Sequence, residues 1–350
     1  MAKKDRTIQP VKLTDNQFLN EKDGSLVLPS LMTLDQEKSF EISNNWFVDG
    51  KSRIDSLREI REFDMADEYR SIYLELTQTE EFLLKFIAQF KSVQKIHLIR
   101  EATLFPEIVN PSKINSSLKH LFVNNLIWKW KYHHPVYAND IEVYTLSTNG
   151  YYMLKLISGN EHYFFPGLLL SRKIPAVFHV RFWETVDLYQ LFVSLPSYKG
   201  STTLFNGGHL EDRIVNSPLQ IATRLFPGKT VNLIVYPVLQ TDGDSYYNHV
   251  IEKWLEFTEK GKVQDKPVNS LPGESNVLTF YAPTGDFANQ FNKHFQLNKA
   301  PFPIFYIIGS LIREYGIEQS FFAPSATNDV DKSIEQISGL DLLQEEDNNA

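Results

Sequence analysis

Between Thr77 and Ile157 the period of the apolar residues switches repeatedly, and each switch predicts an element. Thr77 and Glu80 have capping-box spacing, and Leu83, Phe86, Ile87 and Phe90 follow at i, i+3, i+4 and i+7, which predicts an amphipathic helix. Ser92 is placed to cap a second, short helix with Ile96, Ile99 and Thr103 inward and Pro106 at its end. Asn110-Pro111 opens a third, because a proline at the first helical position sacrifices no hydrogen bond. Its buried stripe is Ile114, Leu118, Leu121, Phe122 and Leu126; the opposite face carries Lys113, Asn115, Ser116, Lys119 and His120. The period then drops to two, with Trp128 and Trp130 on one side and Lys129 and Lys131 on the other, so a strand is predicted over 126–132. A polar turn through His133, His134, Pro135 and Asp140 leads to a second strand at 141–146, and Thr148 caps a closing helix at 150–157.

Three helices, a two-stranded hairpin and a closing helix are the parts of a winged helix-turn-helix, an α+β domain. Its third helix would lie across a DNA groove, and the lysines of the following strand would reach adjacent phosphates.

From about residue 160 the pattern changes. AVFHVRFWETVDLYQLFVSL predicts a helix, TVNLIVYPVLQ a buried strand, YYNHVIEKWLEFTEK a helix, SNVLTFYAP a strand, DFANQFNKHF a helix and IFYIIGSLI a strand. Alternation of this kind implies an α/β layer domain with at least a partly parallel sheet. The expected organisation is an N-terminal arm and lead-in helix over 1–70, the winged helix over 71–158, the α/β domain over 159–323 and a flexible acidic tail over 324–350. The lead-in helix comes from SRIDSLREIREFDMADEYRSIYLEL, and the tail's only structure would be a short helix near 334–343. The fold class is thus α/β overall.

Composition narrows the function. At 350 residues and 42% hydrophobic content, the chain can bury two cores. No apolar run approaches the roughly 20 residues of a membrane helix, and the start is polar, so a cytoplasmic protein without membrane contact is expected. With no cysteine, disulfides, thiol catalysis and cysteine-based zinc sites are excluded. The net charge of -8 argues against non-specific coating of nucleic acid. Yet between Lys91 and His134 seven basic residues (Lys91, Lys95, Arg100, Lys113, Lys119, Lys129, Lys131) face two acids, Glu101 and Glu107. Isolated lysines merely keep a surface soluble; here their sign coincides with a DNA-binding architecture. Asn115 and Ser116 suit bases or phosphates, while Lys129, Lys131, His133 and His134 would serve the backbone.

Other motifs lead nowhere. Pro227-Gly228-Lys229-Thr230 lacks the first glycine of a phosphate loop, since Thr223 stands there, and it precedes a strand; a turn is expected. Asp242-Gly243-Asp244 fails as a calcium loop because Tyr247 and Lys253 occupy its sixth and twelfth positions. His133 and His134 are adjacent and point apart, so no metal site and no cofactor are expected. A restriction-type nuclease needs acids and a lysine on its core strand, and VNLIVYPVLQ has neither; Glu211-Asp212-Arg213 and Glu252-Lys253 are poor substitutes, so no catalytic residue is assigned.

The runs TEEFLLKFIAQFKSVQKIHLI, LKHLFVNNLIWKW and VYTLSTNGYYML, followed by AVFHVRFWETVDLYQLF, TVNLIVYPVL and HVIEKWLEFTEK, resemble the replication-relaxation family, winged-helix proteins of plasmids and conjugative elements in Gram-positive bacteria. The resemblance spans about 77–310 and implies a second domain of nuclease-type fold; the missing acid implies that this domain has no active site and serves binding or dimerisation. The expected function is that of a DNA-binding protein acting in replication, conjugative transfer or transcription regulation. It would bind double-stranded DNA as a homodimer, with the acidic C-terminal tail available to a protein partner. The alternatives are a metal-dependent nuclease or nicking accessory, and an adaptor whose winged helix contacts protein.

Overall fold

In a computed structural model that describes residues 41–44, 55, 58–62, 66–133, 141–158, 163, 166, 176–203, 217–259, 271–325 and 333–344, the chain is mixed α/β and divides into two compact units. The described residues up to Trp183 belong to the first and those from Glu184 to the second.

In the first unit the capping box at Thr77 forms: its hydroxyl accepts from the Glu80 amide at 3.3 Å, and the Glu80 carboxylate accepts from the Thr77 amide at 2.8 Å. Helix α2 (Gln78–Phe90) follows, preceded by α1 (Ala66–Glu75), and buries Leu83, Phe86, Ile87 and Phe90 as the spacing requires. Ser92 does not cap a helix; it starts the short strand β2 (Ser92–Gln94), and α3 (Lys95–Leu104) begins only after it. Helix α3 is buried on more sides than its apolar residues suggest: His97, Arg100 and Glu101 are inside, whereas Thr103 is exposed and bonds back to the Ile99 carbonyl at 3.0 Å. A 3-10 turn at Pro111–Lys113, capped by Asn110, leads into α4 (Ile114–Val123).

The switch from α4 to strand has a definite cause. Asn125 adopts the left-handed conformation at φ 52°, the Leu126 amide reaches back to the Leu121 carbonyl at 2.9 Å, and the helix is closed. Strand β3 (Ile127–His133) then pairs antiparallel with β4 (Ile141–Leu146), which pairs with β2 on its other side. The outer edge of β3 is covered by β1 (Glu41–Asn44), so part of the expected N-terminal arm is a strand of a four-stranded sheet in the order β1-β3-β4-β2. Helix α5 (Thr148–Ser158) closes the segment, capped by the Ser147 hydroxyl rather than by Thr148: Ser147 Oγ accepts from the Gly150 amide at 2.9 Å and donates to the Asn125 carbonyl at 2.6 Å. A side chain at Gly150 would place its Cβ 2.0 Å from the Leu126 carbonyl oxygen. The glycine is therefore what lets α5 sit against the α4–β3 corner.

Helix α6 (Ala176–Val193), expected wholly in the second domain, belongs to the first unit as far as Trp183. Its His179 ring lies 5.5 Å from Trp130, and Trp183 donates to the Ser92 hydroxyl at 3.1 Å; such packing moves the boundary past residue 158.

The second unit is built on a seven-stranded sheet in the order β11-β10-β9-β8-β7-β6-β5. Its strands are β5 (Tyr198–Thr202), β6 (Leu219–Phe226), β7 (Lys229–Pro237), β8 (Ser275–Ala282), β9 (Ile304–Ile308), β10 (Phe321–Pro324) and β11 (Ile334–Gln336). The centre, β7-β8-β9, is parallel and both flanks are antiparallel. Pro227 and Gly228, the latter at φ 68°, make the expected turn between β6 and β7. Helices α7 (Asp244–Glu259) and α8 (Gly285–Phe295) bury Tyr247, Trp254, Ala288 and Phe291 against Ile234, Tyr236, Phe280 and Tyr306 of the sheet. The run IFYIIGSLI is not one strand: β9 ends at Ile308 and Ile312 is buried from helix α9 (Gly309–Tyr315). A continuous apolar run does not distinguish the two states by period.

Residues 333–344, expected as part of a flexible tail with a short helix, are part of this sheet. The Ser333 amide donates to Asn289 Oδ1 at 2.7 Å, β11 follows, and Asp341 forms a buried ion pair with Arg224 of β6 at 2.9 Å while its amide donates to the Leu225 carbonyl at 3.0 Å. Removing one partner of such a pair leaves a buried charge, so Asp341→Ala should destabilise the second unit by about 3 kcal/mol in urea melts, and Arg224→Met/Asp341→Leu should recover most of that loss.

Candidate nucleic-acid interface

Helix α4 turns its apolar stripe inward, with Ile114, Ser117, Leu118, Leu121 and Phe122 buried. That leaves Lys113, Asn115, Ser116 and Lys119 exposed together on the opposite face. Ser116 Oγ donates to the Lys113 carbonyl at 2.8 Å, which spends its proton and leaves the exposed oxygen able to accept. His120 is on this helix but is engaged: its Nδ1 lies 2.9 Å from Glu80 Oε1, the carboxylate whose other oxygen caps α2. This contact fixes α4 against the start of α2, so His120 positions the helix rather than extending its polar face.

Strand β3 alternates as its sequence requires, with Trp128 and Trp130 buried and the Trp130 indole donating to Thr145 Oγ1 at 2.9 Å. The lysine face is divided. Lys131 is exposed, opposite Glu142 on β4 and Ser43 on β1. Lys129 is only 5% exposed, with its Nζ 2.5 Å from Glu142 Oε1, and it does not reach solvent as a phosphate contact must. Lys95 approaches the other oxygen of Glu142 at 3.5 Å. Burial pushes the Glu142 carboxyl upward, but the hydrogen bond and charge of Lys129, the charge of Lys95 and the Tyr144 hydroxyl outweigh it and hold its pKa below the usual value. His133 ends β3 opposite Glu41, and His134 lies outside the described residues.

Of the seven basic residues in this segment, Lys91, Arg100 and Lys129 are buried and Lys95 is held by Glu142. Lys113, Lys119 and Lys131 are the exposed cations, which is a smaller set than residue counting suggests.

One cluster has no counterpart in the sequence pattern. Ser92 Oγ, buried, accepts from the Trp183 indole at 3.1 Å and lies 2.8 Å from His179 Nδ1. Burial drives the His179 pKa down to about 3, so the ring is neutral and can accept the serine proton. Next to Ser92, Lys91 closes α2 at φ 63°, with its ammonium 4.4 Å above the Phe182 ring. Its burial lowers its pKa from 10.5 to about 7. Nothing in the spacing of Lys91 and Ser92 announces this, because their partners come from α6.

In the second unit, β7 is buried from Val231 to Pro237, and Asn232 donates to Asn276 Oδ1 at 3.0 Å and accepts from the Gly273 amide at 3.0 Å. Glu252 and Lys253 lie on α7, and Lys253 reaches Glu256 at 3.3 Å. The Asp242 carboxylate accepts from the Leu239 amide at 3.0 Å and from the Tyr247 hydroxyl, a turn as expected. The Glu211-Asp212-Arg213 run is outside the described residues. Among the described residues no group of three histidines or carboxylates could hold a metal ion, and no helix is long and apolar enough to cross a membrane. Comparison with protein-family models, curated proteins and solved structures gives no match for the chain.

Between pH 7 and 10.5 the unfolded chain holds the Lys91 proton and the folded chain releases it, so this residue makes stability rise with pH across that window. Lys91→Met should therefore raise the melting temperature at pH 7 by a few degrees or more, on the order of 2 kcal/mol after loss of the Phe182 contact, and its advantage should vanish toward pH 10. Melting curves of both proteins across that pH range measure this directly.

Proposed function

We propose that the first unit is a winged helix-turn-helix and that the protein binds duplex DNA through α4 and β3. The order α2, β2, α3, α4, β3, β4, with β4 between β2 and β3, supports the winged-helix assignment, with α4 taking the recognition position. The observation that carries the DNA assignment is the exposed set Lys113, Asn115, Ser116 and Lys119 on one face of α4, with Lys131 on the adjoining strand. Side chains of this kind can pair with base edges and phosphates.

In this reading the chain is a DNA-binding protein of a plasmid or mobile element, as the resemblance to the replication-relaxation family suggests, and it acts in replication, conjugative transfer or transcriptional control. The second unit serves as a platform. Its core strand β7 carries no carboxylate, which is what a restriction-type metal site requires, so cleavage of DNA is the weaker alternative. A second reading, contact between α4 and an acidic protein, draws support from the small number of exposed cations.

Binding to duplex fragments flanking the chain's own coding sequence, measured over a salt series, separates these readings. Lys113→Ala/Lys119→Ala should weaken binding at least tenfold and lower the salt slope by roughly 2, at about 0.9 per phosphate contact. Lys129→Ala should leave the salt slope unchanged while lowering the melting temperature, because it strips Glu142 of its nearest cation. Absence of salt-dependent affinity in the wild type contradicts the proposal, and magnesium-dependent cleavage of the fragments would favour the nuclease.

A further inference from the structure

Helices α1 and α5 lie side by side in the first unit. The Tyr69 hydroxyl donates to Asn149 Oδ1 at 3.0 Å, and Tyr152 is close enough to Tyr69 to help raise its pKa, after the larger effect of burial. The two helices expose large apolar side chains: Leu74 is 76% exposed, Leu156 58%, Tyr152 48% and Tyr73 37%. Among the described residues of the first unit, the exposed large hydrophobic residues other than Ile108 are on these two helices. Soluble proteins seldom leave such a cluster to water unless something covers it.

The charges around the cluster indicate what. Helix α1 carries exposed Asp67 and Glu75 with a single exposed cation, Arg70, whereas the exposed charge of α5 is Lys155. A cover must therefore be apolar at its centre, basic where it meets α1 and acidic where it meets α5. The same surface on a second copy meets all three requirements when the two-fold axis runs along the helix pair, because that axis sets each α1 against the other copy's α5. Electrostatic self-complementarity of this kind fixes orientation, and apolar burial supplies affinity.

We propose that the α1–α5 face is the homodimer interface, with a second copy of this chain as its occupant. This deepens the DNA-binding reading, since two copies would present six exposed lysines from Lys113, Lys119 and Lys131 to one duplex; the interface itself rests on the apolar cluster and its charges, not on DNA. The acids of α1 and the partner's Lys155 form the rim, and Leu74 and Leu156 the centre.

Sedimentation equilibrium of the full chain, without DNA, tests this. The wild type should be a dimer at micromolar concentration, and Leu74→Glu/Leu156→Glu should raise the dimer dissociation constant at least a hundredfold while circular dichroism shows the variant folded. Ile108→Glu, outside the cluster, should leave the dimer intact. Should the double variant fail to fold, charge reversal decides: Lys155→Glu should weaken the dimer about tenfold, and adding Glu75→Lys should restore it. A monomeric wild type, or a dimer indifferent to the folded double variant or to the charge reversals, overturns the proposal. The DNA-binding reading stands or falls separately, on the salt-dependent affinity of Lys113→Ala/Lys119→Ala.

Discussion

Strand β4 lies between β2 and β3, and the Glu142 carboxylate on it draws in two lysines, Lys129 at 2.5 Å and Lys95 at 3.5 Å. Much of what the first unit offers to solvent follows from this. A buried lysine must be paired or discharged, and Glu142 pairs Lys129 while Lys91 is partly discharged at neutral pH. Of the seven basic residues between Lys91 and Lys131, those that remain available, Lys113, Lys119 and Lys131, belong to one helix face and one strand. Few charges, well placed, suit a protein that discriminates between sequences better than one that coats nucleic acid, in keeping with a net charge of -8.

The elements of the first unit were legible because each carries a local signal: the Thr77 capping box, the Asn110-Pro111 start, the change of period at Ile127 and the hairpin that follows. What stayed hidden depends on distant partners. Ser92 has the chemistry of a helix cap, but it is taken by Trp183 and His179 from a helix almost ninety positions away, and it stands on a strand. Lys129 obeys the alternation that puts it opposite the tryptophans, yet alternation does not reveal that this side is covered too. His120 looked like a groove contact and instead bonds to the Glu80 carboxylate. The strand at Glu41–Asn44 carries too few residues to announce itself without the edge of β3. In the second unit the helices and the parallel centre were visible as long apolar runs. The flanking antiparallel strands β5, β10 and β11 are short, and residues 333–344 read as tail because the burial of Asp341 rests on Arg224, more than a hundred positions away in the chain.

The second unit is organised as a scaffold. Its central strands are buried on both faces, as parallel strands between layers are, and two polar groups inside are satisfied by neighbours: Asn232 by Asn276 and Gly273, and the Tyr306 hydroxyl by Asn292 at 2.8 Å. A Cβ at Gly273 would lie 2.1 Å from Asn232 Oδ1, so this crossing tolerates only glycine. An amide network of Asn232, Asn276 and Gly273 thus holds β7 to β8.

Hydrogen exchange of the full chain with and without duplex DNA tests the central claim most directly, because it reports on every element at once. Amides of 111–123 and of β3 should exchange more slowly in the presence of duplex, with β7, β8 and β9 unchanged. Slowing confined to the second unit, or none at all at a duplex concentration that saturates binding, would contradict the assignment of α4 and β3 as the DNA-binding face.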